Sequence, residues 1–132
     1  MPTRSRLTKP QQHESDDETL IEVLVAARAA GSKKALDLRI LDLRGITSFA
    51  DYFVVCSGAN QRQIQAIADE VLARMKDQGR AALGIEGYDK AEWVLIDYGD
   101  LLVHIFSDAA RKFYDLERLW RTAKQIEVPE SE

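Results

Sequence analysis

Asp37, Asp42, Asp51, Asp97 and Asp100 each border or interrupt an apolar run, and any two brought together could hold the magnesium ion that phosphoryl transfer requires. Their spacing selects no particular pair. His104 is the one histidine within an apolar stretch, LLVHIF. No serine or cysteine is placed to act as its nucleophile, so it reads as a packed strand histidine rather than a catalytic base. Cys56 is the sole cysteine; it can form no intrachain disulfide and supplies too few thiolates for a zinc site. Within YFVVC it reads as a small buried hydrophobe. SGANQRQ, Ser57 to Gln63, follows a strand and opens a helix, a place where backbone N–H groups can hold an anion. It lacks the repeated glycines of a dinucleotide fingerprint and the Lys-Ser/Thr of a P-loop, and its plainer role is a turn and helix cap. On these grounds no catalytic, cofactor-binding or metal-ligating residue is assigned, and no cofactor is expected.

The more informative stretch is WVLIDYGDLLVHIF, Trp93 to Phe106. With Tyr98 and Gly99 as the central pair of a tight turn, Gly99 tolerating positive φ, a hairpin follows. Asp97 then lies opposite Asp100, and Trp93 opposite His104. Alternate residues point to opposite faces. One face carries Val94, Ile96, Leu101, Val103 and Ile105, wholly aliphatic and suited to a core. The other carries Trp93, Leu95, Asp97, Asp100, Leu102, His104 and Phe106. Two carboxylates directly opposite cost a sheet about 0.2–1 kcal/mol, so this second face reads as one made to meet a partner. Trp93, Leu95, Asp97, Tyr98, Asp100 and His104 are the candidate contact residues, with Trp93 and Leu95 as apolar anchors and the two acids as charge complements.

The elements that must position this hairpin fit into one domain of 132 residues, 45% hydrophobic and 30% charged, which is long enough to bury a core without disulfides or metals. A net charge of -4 argues against a bare phosphate-binding surface. Glu86, Asp89, Glu92, Asp97 and Asp100 stand against Lys90 alone in the hairpin's neighbourhood, a balance that suits a basic protein partner. No apolar run is long enough to span a membrane and no hydrophobic signal segment opens the chain, so a cytoplasmic location is expected.

Residues 1–18 are expected to be a mobile tail, with His13 incidental, because they hold too little apolar surface to offset ordering. Residues 19–126 form the domain and 127–132 a short C-terminal tail. ETLIEVLVAARAAG predicts a helix stopped by Gly31, ALDLRILDL and DYFVVCS two neighbouring strands, and Asn60 to Gln78 a helix with one buried face. Ala81 to Ile85 is a weaker strand. After the hairpin, Asp108 is expected to cap a last helix that turns Phe113, Leu116, Leu119 and Trp120 toward the sheet, with Phe113 and Trp120 in the core. The fold class is α/β (α+β): a single domain with a mixed sheet of about five strands covered by helices and containing one strand–helix–strand crossover.

LDLRGITSFADYFVVCSGANQRQIQAIAD, EGYDKAEWVLIDYGDLLVHIF and ARKFYDLERLW, in this order, resemble the ribosomal silencing factor family, the Iojap-like proteins, from about Thr19 to Trp120. The resemblance implies a non-enzymatic translation repressor that binds the large ribosomal subunit through its fourteenth protein and blocks joining of the small subunit when nutrients are scarce. It also implies a homodimer when free, no sequence-specific nucleic-acid contact, and a nucleotidyltransferase-like topology. The catalytic signature of that topology is missing: Ser57-Gly58-Ala59-Asn60 stands where such enzymes have a Gly-Ser start and paired aspartates. The alternative is a magnesium-dependent nucleotidyltransferase-like enzyme or a nucleotide-binding protein.

Overall fold

The computed structural model describes the backbone of residues 9–128 and the side chains of residues 18–128 other than Leu119. Four helices, α1 (Lys9–Ser32), α2 (Gln61–Asp77), α3 (Asp108–Tyr114) and α4 (Leu116–Leu119), accompany six strands. The strands are β1 (Leu36–Asp42), β2 (Tyr52–Gly58), β3 (Gly84–Glu86), β4 (Trp93–Asp97), β5 (Leu101–Ser107) and β6 (Lys124–Ile126). They form one sheet in the order β3-β4-β5-β2-β1-β6. Only β2 and β5 are parallel neighbours. The chain between them passes through α2, β3 and β4, which is the expected crossover.

Helices α1 and α2 cover one face of the sheet. Val23, Ala26, Ala27, Ala29 and Ala30 of α1 and Ile64, Ile67, Ala68, Val71 and Met75 of α2 are buried there with Val94, Ile96, Leu101, Val103 and Ile105 of the hairpin. The aliphatic face read from the sequence is thus the main core. The alanines of α1 combine strong helix propensity with small side chains, so they favour the helix and allow close packing. Helix α1 starts at Lys9, inside the segment expected to be tail. Residues 1–8 and 129–132 lie outside the described residues.

Three local features differ from the sequence reading. First, α1 runs past Gly31 to Ser32, and the left-handed residue after it is Lys34, at φ 64°. Second, β1 is bulged between Leu36 and Arg39, where Asp37 adopts φ 49°, so Leu36 is exposed rather than aligned with Leu38 and Ile40. Third, the last helix is broken. Asp115, at φ 49°, separates α3 from α4, and the chain then returns to the sheet edge as β6, a sixth strand. Ser107, not Asp108, caps α3, its hydroxyl accepting from the Ala110 amide at 3.1 Å.

Gly87 is fixed by a close approach: at φ 81°, a Cβ there would lie 2.1 Å from the carbonyl oxygen of Trp93. Gly87→Ala is expected to lower stability by at least about 2 kcal/mol, combining left-handed strain with a backbone overlap. A urea midpoint unchanged from the parent would show that this loop relaxes freely.

Candidate functional site

The opposite face of the sheet carries a second, smaller cluster. Leu41, Leu43, Ala50, Phe53, Val55, Phe106 and Ala123 are buried, and Trp93, Leu102, Ala110, Leu116 and Trp120 are partly buried against them. Its aromatic content sets it apart from the main core. His104 sits centrally: its ring centroid lies 4.4 Å from that of Phe53 and 5.9 Å from that of Trp93. On one side Phe53 meets Trp120 edge-on at 6.2 Å, and Phe49 packs on Trp120 at 5.9 Å. On the other, Trp93 lies 5.1 Å from Phe106 and 4.5 Å from Tyr114. Such rings are worth about 0.5–1.5 kcal/mol per pair beyond area burial. The C-terminal segment therefore covers only part of this face. Phe49 is 59% exposed, and Ile46 and Tyr114 are also open to solvent.

Strand alternation puts Trp93, Leu95 and Asp97 of β4 on this face with Leu102, His104 and Phe106 of β5. The expected division of the hairpin into two faces holds. The register does not. Leu95, not Trp93, is opposite His104; Trp93 is opposite Phe106 and Asp97 opposite Leu102. Tyr98 donates its amide to the Leu101 carbonyl at 2.9 Å, which places Gly99 and Asp100 at the turn's centre. The shift is by two residues, so each side chain keeps its face while its partner changes.

This shift corrects two candidate contacts. The expected Asp97–Asp100 pair is absent: the Asp97 carboxylate instead accepts the Gly99 amide at 2.7 Å, closing the turn. Asp100 belongs to the helix side, where its carboxylate accepts from the Thr19 hydroxyl at 3.1 Å and from Arg80 at 3.3 Å. Arg80 also pairs with Glu22 and donates to the Tyr98 carbonyl. Tyr98, expected at the contact surface, is 2% exposed and packs in the main core, where burial pushes its phenol up to about 12. Phe113, expected in the core, is 80% exposed because α3 turns Arg111 inward and a residue two positions on lies on the opposite side of the helix.

His104 is 4% exposed, and its Nδ1 accepts the indole N–H of Trp93 at 3.1 Å. Burial lowers its pKa to about 4. The bond to Nδ1 fixes the neutral tautomer with the proton on Nε2, and Nε2 has no partner among the described residues. The packed histidine expected from the sequence is what the structure shows; the expectation that His104 also touches a partner is corrected, because its ring lies beneath Trp93 and Phe53 and is closed to solvent. Cys56 is fully buried, and its thiol is pushed up to about 12 by burial, so it is inert as a nucleophile.

The aspartates that raised the magnesium possibility are spent elsewhere. Asp42 is held below the usual carboxylate range chiefly by its side-chain bonds to Arg44, at 2.8 and 3.0 Å, and Asp37 takes Arg39 at 3.1 Å. Among the described residues no group of three or more His, Cys, Asp or Glu side chains is arranged to hold a metal ion. In the SGANQRQ loop, Asn60 caps α2 by accepting the Gln63 amide at 2.8 Å, while the Gln63 side chain accepts the Ala59 amide at 2.6 Å. This reciprocal cap occupies two of the amides that could have faced an anion.

The sequence reading passed over Phe49 and Ile46, which sit in the β1–β2 loop within RGITSFA and extend the aromatic face. Two exposed apolar residues in a polar turn were the available signal.

Fold and face together define a single-domain mixed α/β protein whose outstanding surface is a half-covered aromatic sheet face. The chain belongs to the ribosomal silencing factor family: the family described as "Ribosomal silencing factor during starvation" matches residues 15–132. It is 43% identical over 99 residues to the ribosomal silencing factor RsfS of Bacillus subtilis, covering 75% of this chain and 84% of that one. The Zymomonas mobilis protein of the same name is 35% identical over 132 residues, covering 100% and 97%. A crystal structure of a Chromobacterium violaceum protein superposes with a TM-score of 0.76 at 32% identity, over 85% of this chain and 92% of that one. A more distant relative, 28% identical over 91 residues and covering 67% of this chain and 40% of its own, is the mouse mitochondrial assembly of ribosomal large subunit protein 1.

Proposed function

We propose that this protein is a cytoplasmic, non-enzymatic translation repressor that docks its aromatic sheet face on the large ribosomal subunit, at the subunit's fourteenth protein, and thereby obstructs joining of the small subunit under nutrient limitation. The observation that carries the proposal is the partial covering of that face. Trp93, Leu95, Leu102 and Trp120 remain half-buried and Phe49 is largely exposed, an apolar surface of the kind that interfaces bury. Glu86, Asp89 and Glu92, beside the entry to β4, are exposed and supply the acidic rim that a basic ribosomal protein complements. Family membership supports the ribosomal setting, and the name of the mouse relative points to the same subunit. The free chain is proposed to be a homodimer.

The mechanism is steric. A 14.9 kDa domain seated on an intersubunit surface prevents approach of the other subunit without turnover. Within the docking face, Trp93 and Leu95 act as apolar anchors and Asp97 as the adjoining charge. His104 holds Trp93 in place from beneath through the indole hydrogen bond. Asp100 and Tyr98 act indirectly, by closing and anchoring the turn.

Leu95→Glu and Phe49→Glu test this placement better than removal of Trp93, whose indole also packs Phe106 and Tyr114. Each is expected to weaken co-sedimentation with large subunits at least tenfold, about the loss of one apolar hot spot, with an unchanged circular dichroism spectrum. Folded variants that pellet as well as the parent would exclude this face.

A further inference from the structure

We propose that the tip of the C-terminal segment, Phe113 with Arg118 and Arg121, is a second contact surface, and that its partner is exposed RNA, bound by base stacking on Phe113 and by phosphate pairing with the two guanidiniums. The inference rests on the docking reading only in expecting RNA nearby; its chemistry stands on the residues themselves.

Five bases stand against three acids between Asp108 and Lys124, in a chain whose net charge is -4. The pairing within the segment is selective. Lys112 takes Asp108 at 3.3 Å and Arg111 takes Glu117 at 2.5 Å. Arg118 and Arg121 are exposed and make no ion pair among the described residues. They line an open depression of about 560 Å³ together with Phe113, Tyr114, Asp115 and Thr122. Asp115 is the single carboxylate there, so two cations outweigh one anion locally.

Phe113 gives this charge a partner preference. Its ring stands edge-on to Tyr114, with centroids 5.0 Å apart and planes at 89°, and is 80% exposed. Burying so large a ring in water's place needs a flat apolar partner. An aromatic platform flanked by free guanidiniums is the combination that binds unpaired nucleotides, the bases stacking and the phosphates pairing. Acidic protein would satisfy the arginines and leave the ring unused. Tyr114 in turn packs on Trp93, so the tip is continuous with the aromatic face, and one rigid body would touch protein and RNA together.

The test is fluorescence anisotropy of a labelled single-stranded RNA of mixed sequence with the full chain at about 50 and 200 mM salt, with co-sedimentation on large subunits run in parallel. Two phosphate contacts imply a salt slope of about -1.4, hence about sevenfold weaker binding at the higher salt. Arg118→Glu with Arg121→Glu is expected to cost at least about tenfold, and Phe113→Ala about fivefold with the slope retained. Arg28→Glu with Lys33→Glu, the same charge change on an exposed residue of α1 and one just after it, should stay within about twofold. No RNA binding by the parent, or equal losses in both double variants, overturns the proposal. So does retained RNA binding with lost capture of poly-glutamate in the tip variant, which assigns an acidic protein instead. A chain that pellets with subunits while tip variants bind RNA normally refutes the tip and spares the docking reading. RNA binding lost in the tip variants, by a chain that does not pellet, does the reverse.

Discussion

Acidification from pH 7 to pH 4.5 is expected to remove about 2 kcal/mol of stability through His104 alone. In the folded chain burial lowers its pKa from 6.5 to about 4, whereas in the unfolded chain it titrates normally. Below pH 6.5 the unfolded state therefore binds a proton that the folded state refuses, and stability falls with pH until the folded imidazole also protonates near pH 4. Above pH 6.5 neither state is charged and the contribution is flat. The hydrogen bond adds to the refusal: protonated Nδ1 would point a donor at the indole N–H of Trp93, 3.1 Å away. Urea unfolding of the parent and of His104→Gln across this range is the check. The glutamine can still accept from the indole but does not titrate, so the gap between the two curves should change by about 2 kcal/mol. Parallel curves would mean that His104 protonates freely in the fold. Because His104 supports Trp93, weaker subunit binding should accompany the loss.

Arg111→Met is expected to destabilise the protein by about 3 kcal/mol, the lower end of the range for breaking a buried ion pair because Glu117 keeps some contact with water. Arg111 is 8% exposed. It joins three parts of the fold: Glu117 of α4, the Ser57 hydroxyl at 3.0 Å and the Leu36 carbonyl at 3.4 Å, at the ends of β2 and β1. Its removal releases the cover over the aromatic face and leaves a buried hydroxyl and a carboxylate without their donor. Glu117→Gln should cost less, and the two substitutions together less than their sum by about 1 kcal/mol or more, since they remove one shared contact. Additive effects would show that Arg111 acts through packing alone. The near-ultraviolet signal of Trp120 and Trp93 should decline in step with stability.

What was legible in the sequence follows from periodicity. Val94, Ile96, Leu101, Val103 and Ile105 alternate, and alternation survives any shift by an even number of residues, so the core face could be read even though the register was wrong. The register itself depended on which two residues of Tyr98-Gly99-Asp100 occupy the turn centre. Gly99 fits either position of such a turn, and the Asp97 side chain capping its amide settled the choice. The break at Asp115 was hidden because Leu116, Leu119 and Trp120 continue the helical spacing of Phe113. Aspartate tolerates the left-handed region better than most residues, and here Arg111 and Glu117 close across the corner. Three-residue β6 carries too little pattern to be read at all. At the candidate site, Trp93, Leu95, Asp97 and His104 share the expected face because alternation puts the odd positions of β4 and the even positions of β5 on one side, whereas Tyr98 and Asp100 lie in the turn, where alternation no longer applies.

The most direct test of the steric account is subunit joining. Separated small and large subunits mixed with and without the protein, then resolved on a sucrose gradient, report the joined fraction. The account predicts that stoichiometric protein, added to large subunits first, diminishes the joined peak and migrates with the large-subunit peak, and that Leu95→Glu restores joining. A joined peak undiminished while the protein sits on the large subunit would contradict it, because occupancy without obstruction cannot silence by steric exclusion.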